Sequence, residues 1–226
     1  MKRIGFLSLA LVATLTTGCS SEKGKNLGTV KSSEPATVGT AGAAEIASQD
    51  AKDFIHHVAI VNMAEIDLGK LATDRGTADG VKKFAQMMID DHTASGDKLK
   101  GLASDLKIAA PVELDDKHRD QRDKLAKRSE ADFDRTYASA MVDGHKDLID
   151  QLEPRIDKKT LDSRKAEMNG KTTVAGGTIP ILPDPSDNPT TMRVNQFAAD
   201  LYPTAHAHLE AAKALETSLK KPDTRP

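Results

Sequence analysis

Tryptophan is absent from this 226-residue chain, and aromatic residues make up only 3% of it. Strands draw on aromatic and β-branched side chains. Their scarcity, beside abundant Ala, Leu, Lys, Asp and Glu, favours helices over a β-sandwich. Cysteine occurs once, at Cys19, which excludes an internal disulfide and any metal site built from cysteines. Charge of one sign is lacking as well. The 32 Lys and Arg against 34 Asp and Glu leave a net charge of -2, with no basic cluster of the kind nucleic-acid binding requires. No Gly-x-Ser-x-Gly, phosphate-binding glycine loop or HExxH occurs, so the common hydrolase and nucleotide signatures are missing.

What is there begins with an address. The stretch "MKRIGFLSLALVATLTTGCS" has a basic start (Lys2, Arg3), an apolar run from Ile4 to Leu15, and small residues before Cys19. It is shorter than the roughly 20 apolar residues of a membrane span and has the layout of an export leader. "LTTGC" resembles a bacterial lipobox, although Thr16 stands where Leu is commoner. That resemblance implies a signal peptide over 1–18, cleavage before Cys19 and a lipid on its thiol. Membrane attachment through that anchor follows. Ser20 rather than Asp after the cysteine points to the outer membrane, facing the periplasm, in a Gram-negative host. Residues 19–48, rich in Gly, Ser, Thr and Ala, are expected to be a flexible tether spanning on the order of 30 Å.

The remainder, 49–220, reads as four long helices, with 221–226 a frayed tail. The first, about Asp50 to Thr73, carries Phe54, Val58, Val61, Glu65, Leu68 and Ala72 at spacings of three and four. The second, about Thr77 to Leu106, carries Val81, Ala85, Met88, His92, Leu99 and Leu102. A short charged helix, "LDDKHRDQRDKLAKR", follows Pro111. The third long helix starts near Glu130, with Ser129 and Asp132 spaced as a capping box, and its stripe is Phe133, Tyr137, Met141, His145, Leu148 and Leu152. The fourth, about Thr190 to Lys220, carries Phe197, Leu201, Ala205, His208, Ala212, Leu215 and Leu219, with Pro203 expected to kink or break it. Between the third and fourth lies a Pro/Gly-rich insertion, 157–190, where "TTVAGGTIPIL" is compatible with a hairpin around Gly176-Gly177. The expected fold class is all-α: a four-helix bundle with one short extra helix and this insertion.

Each long helix places one ionisable side chain in its apolar stripe: Glu65, His92, His145 and His208. Helices around a common axis can bring such residues together at the bundle centre. One carboxylate and three imidazoles suit a divalent metal such as zinc or iron, or copper. Met88 and Met141, each one turn before a histidine, add soft thioethers compatible with Cu(I), although methionine in a stripe is ordinarily core filler. Asp134 and Tyr137 are secondary candidates. A carboxylate-bridged di-iron centre is disfavoured, because Ile89, Val142 and Ala205 stand where Glu-x-x-His needs glutamate. The competing reading is a buried hydrogen-bond network in which Glu65 pairs with a histidine and the other rings satisfy Tyr137 or the backbone.

The blocks "AEIDLGKLA", "VKKFAQMMIDDHTASGDKL", "FDRTYASAMVDGHKDLI" and "HLEAAKAL" resemble, in this order, a bacterial family called domain of unknown function 4142. The resemblance runs from about Asp53 to Leu215 and implies a ferritin-like four-helix bundle, commonly exported. Its characteristic polar positions fall on Glu65, His92, Asp134, Tyr137, His145 and His208. It implies no activity, and the long connection before the fourth helix departs from its usual pattern. Two functions follow as expectations: a non-enzymatic interaction or stress-related module of the cell envelope with a protein partner, or a metal-binding bundle using the Glu/His set. A metal-dependent oxidoreductase is a third, for which no substrate pocket is legible.

Overall fold

The computed structural model describes residues 47–171 and 178–220. The expected leader, Cys19, nearly all of the tether, the Gly176-Gly177 hairpin and the tail 221–226 lie outside the described residues. The elements are α1 (Gln49–Arg75), α2 (Asp79–Asp105), α3 (Asp116–Ala126), α4 (Glu130–Leu152) with a 3₁₀ turn at Glu153–Arg155, α5 (Lys158–Met168) and α6 (Pro189–Leu219). Among them no helix is long and apolar enough to cross a membrane.

Side-chain caps set most of the helix starts. Ser48 accepts from Ala51 N, Asp115 from His118 N, Asp157 from Thr160 N and Asn188 from Thr191 N. Pro189 occupies the first turn of α6, where its missing N–H costs nothing. Ser129 stands at the N-cap of α4, but its side chain makes no capping bond. The N-cap of α2 is Ala78, which has no side chain to offer; Asp134 of α4 serves there instead.

The helices form a bundle of all-α class, as the periodicity predicts. α1 pairs mainly with α2, and α4 with α6; α1 also packs on α4, and α2 on α6. The stripes of α1 and α4 are buried along their length, from Phe54 to Ala72 and from Phe133 to Leu152. The connection from α2 to α4 returns along the bundle and carries α3, which rests on α1 and α4. α3 contributes one buried side chain, Leu125. Arg75 of α1 reaches the carbonyls of Ala126 and Arg128 and so ties down its far end.

Three expectations change here. α6 runs unbroken through Pro203. Its apolar stripe is rotated in the first half: Val194, Ala198 and Tyr202 are buried, whereas Phe197 and Leu201 are only partly so. The large Tyr202 ring takes the core position, with its hydroxyl donating to Glu153 at 3.5 Å. Third, the Pro/Gly-rich insertion opens with a helix that its composition does not predict. α5 begins on its Asp157 cap, Leu161 is buried in the core, and Asp157 N and Asp184 N donate to Leu182 O and Arg155 O, pinning the returning chain.

Arg155 clasps this end of the bundle. Its guanidinium lies 4.3 Å from the centre of the Phe54 ring, pairs with Asp50 at 2.9 Å and donates to Asn195 Oδ1 at 3.5 Å. Its side chain is only 12% exposed, so the contact with Phe54 is sheltered, whereas Asp50 is 72% exposed and the ion pair is screened by solvent. Arg155→Ala is expected to lower unfolding stability by about 2 kcal/mol, with urea denaturation as the readout. A midpoint unchanged from the parent would show the clasp to be incidental.

Candidate metal centre

His92 of α2, His145 of α4 and His208 of α6 each occupy a position where the helical period turns the side chain inward, and all three are buried. Their ring centroids are 5.6 Å (His92–His145), 5.5 Å (His92–His208) and 5.2 Å (His145–His208) apart. One ring nitrogen from each lies within 4.8 Å of the other two. The bundle thus brings three imidazoles from three helices to one point.

The other nitrogen of each ring is already engaged. His92 Nδ1 donates to Asn62 Oδ1 at 2.9 Å, and the Asn62 amide nitrogen points to Ser95 Oγ at 3.5 Å. His145 Nδ1 donates to the Met141 carbonyl at 2.8 Å. His208 Nε2 donates to the Asp91 carboxylate at 2.8 Å. A carbonyl or carboxylate oxygen can only accept, so each of these nitrogens carries a proton, and a metal would be bound through the other nitrogen of each ring. The lone pairs therefore fall on His92 Nε2, His145 Nε2 and His208 Nδ1. His92 Nε2 and His145 Nε2 are buried with no hydrogen-bond partner. Orphaned buried acceptors are rare and call for a physical reason.

Electrostatics keep the lone pairs available. Burial, reinforced by the neighbouring imidazoles His145 and His208, pushes His92 down to about 3. Burial likewise drives His145 down to about 4, against the partial support of its bond to Met141. Both rings are neutral at pH 7, the form that ligates metal.

Glu65, expected among the ligands, is not in this group. Its carboxylate approaches His145 from the Nδ1 side, at 3.7 Å, where that nitrogen already donates to Met141 O. Burial raises Glu65 to about 8, so the pair is a neutral acid beside a neutral imidazole and not a salt bridge. Gly144 makes room for it: a Cβ there would lie 2.7 Å from Glu65 Oε1. Glu65 Oε2 and the Tyr137 hydroxyl are also buried without partners. Burial and the nearby Glu65 push the Tyr137 phenol well above its ordinary range. Met88 and Met141 are fully buried core residues. Asp134 lies elsewhere, at the α1–α2 turn. It accepts from Thr77 N at 3.0 Å, Thr77 Oγ1 at 2.6 Å and Ala78 N at 2.8 Å.

The acceptors behind the rings escape sequence reasoning. Asp91 lies off the apolar stripe of α2 and its side chain is 46% exposed, yet it reaches His208. Asn62 carries no periodic signal of its own; only its place three residues before Glu65, on the flank of the buried stripe, would have marked it.

Comparison with known proteins completes the description. Among curated proteins none matches the chain significantly. A solved structure, a fragment of a DUF305 protein from Deinococcus radiodurans, aligns over 76% of this chain and 98% of its own, with a TM-score of 0.54 and 10% identity. That likeness speaks to the helical fold alone. The model for a domain of unknown function, DUF4142, matches residues 36–167, a span that includes Glu65, His92 and His145 but ends before His208. With more than half its length matched, the chain belongs to the DUF4142 family.

Proposed function

We propose that this protein is a lipid-anchored helical bundle of the bacterial cell envelope that binds a late first-row transition-metal ion through His92, His145 and His208, as a binding or buffering protein and not an enzyme. The observation that carries the binding is the convergence of three imidazoles whose outer nitrogens are each held by an acceptor: Asn62 Oδ1, Met141 O and Asp91. Histidine ligands in metal proteins are oriented in this way, by a carboxylate, carbonyl or amide behind the ring. A buried hydrogen-bond network supports the arrangement less well, because it would pair His92 Nε2 and His145 Nε2, which have no partners. Metal–nitrogen bonds of about 2.0–2.1 Å set ligating nitrogens roughly 3.5 Å apart, which a short inward tilt of the rings supplies. The envelope location rests on Lys2, Arg3, the apolar run and Cys19.

Elemental analysis of the untagged chain, purified without chelator and loaded with copper, zinc or iron, is expected to find about one metal ion per chain. His92→Ala/His145→Ala should retain under a tenth of that while circular dichroism shows the helices intact. A parent that takes up none of the three metals, or a folded double variant that retains them, would sink the reading.

A further inference from the structure

We infer that the site selects a monovalent soft cation, copper(I), over divalent zinc or copper(II); this rests on the proposed three-histidine centre and deepens it. The argument is one of charge and donor number. The convergent donors are three imidazole nitrogens, which bring no negative charge as ligands, and among the described residues no Asp, Glu or Cys joins them. Glu65, the nearest buried carboxyl to any of the three rings, stands on the outer side of His145 at 3.7 Å from Nδ1, behind the ring and not at its lone pair. Asp91 also stands behind its ring, and its half-exposed side chain leaves its charge screened by solvent.

The cost of placing an ion in a low-dielectric interior grows with the square of its charge, so a divalent ion meets roughly four times the penalty of a monovalent one. Zinc in proteins normally completes a tetrahedron and, with three histidines, needs a water or substrate as fourth ligand. Copper(II) prefers a tetragonal set. Copper(I), a closed-shell ion, is content with two or three neutral donors and favours soft, polarizable surroundings. Met88 and Met141, one helical turn before His92 and His145, are fully buried and add polarizable thioethers to the core of those two helices without adding charge.

The test is an anaerobic competition titration of the full chain carrying Cys19→Ser, which removes the lone thiol as a rival copper(I) ligand. Chromogenic chelators of known affinity report Cu(I) and Zn(II) binding separately. The expected result is one equivalent of Cu(I), held at least 100-fold more tightly than Zn(II), with X-ray absorption showing three nitrogen scatterers and a low coordination number. Binding should be lost in His145→Ala. Zn(II) bound as tightly as Cu(I), or a four-coordinate copper centre, would overturn the selectivity while leaving the metal site standing. Cu(I) retained by a folded His145→Ala would overturn it by placing the ion elsewhere. Binding of neither ion would overturn the three-histidine centre itself.

Discussion

Asp134→Ala is expected to destabilise the protein by about 2–3 kcal/mol, the scale for removing a charged acceptor from a set of partly buried hydrogen bonds. Asp134 is buried, and its carboxylate takes the Thr77 N–H, the Thr77 hydroxyl and the Ala78 N–H at the mouth of α2. Ala78 cannot cap its own helix, so truncation removes the shared acceptor of two backbone donors and a hydroxyl, of which those of exposed Thr77 can turn to water. The turn is tightly packed on its Gly76 side. Gly76 approaches so closely that a Cβ there would meet Ala72 O at 2.6 Å and Val81 Cγ1 at 2.8 Å. Asp134→Asn keeps an acceptor oxygen and should lose less than half as much. Chemical denaturation of the three proteins side by side gives the answer, and equal midpoints for parent and Asp134→Ala would refute the capping role.

The second large effect is the pH dependence of the metal-free protein. His92 and His145 fall from 6.5 to about 3 and about 4 on folding, so between those values and 6.5 the unfolded chain binds more protons than the native one. Stability therefore declines as pH drops below 6.5. Glu65 works in the opposite sense: its shift from 4.5 to about 8 means that the unfolded chain binds fewer protons across that interval, and stability falls as pH rises. From 4.5 to 6.5 the two histidines outweigh the one glutamate. Above 6.5 Glu65 comes to dominate as the unfolded-state histidines finish titrating. The expected profile has its maximum near pH 6.5 and loses on the order of 1 kcal/mol by pH 8. Glu65→Gln should flatten the alkaline limb and leave the acid limb in place. An unchanged alkaline limb in that variant would show that Glu65 is already ionised in the native protein.

Periodicity of 3.6 made the four long helices legible, and with them the inward direction of His92, His145 and His208. That same period placed Glu65 alongside them, since every stripe residue looks equivalent when each helix is considered alone. The difference arises at the α1–α4 contact. There Glu65 lies opposite Gly144 and the Nδ1 edge of His145, a matter of height along the bundle that spacing within one helix does not encode. Asp134 misleads in a similar way. Its neighbours Phe133 and Tyr137 are core, but its own partners belong to a turn 56–57 residues earlier in the chain. α5 was obscured by the proline- and glycine-rich composition around it, although Asp157 followed by Thr160 carries a capping signal. The rotation of α6 at Val194, Ala198 and Tyr202 reflects a choice between two adjacent faces that are both apolar, which only packing against α4 and the 3₁₀ turn decides.

The order of the chain has a consequence for assembly. His92 belongs to the α1–α2 hairpin, while His145 and His208 belong to α4 and α6, on the far side of the crossover that carries α3. Neither half owns all three donors. Metal binding would then act as a rivet between two hairpins that already share an apolar core, and a chain severed in the crossover between Leu106 and Asp115 would become a pair of fragments whose reunion the ion strengthens. Such a split protein would report metal by complementation, reading out cation concentration as the rejoining of its two halves.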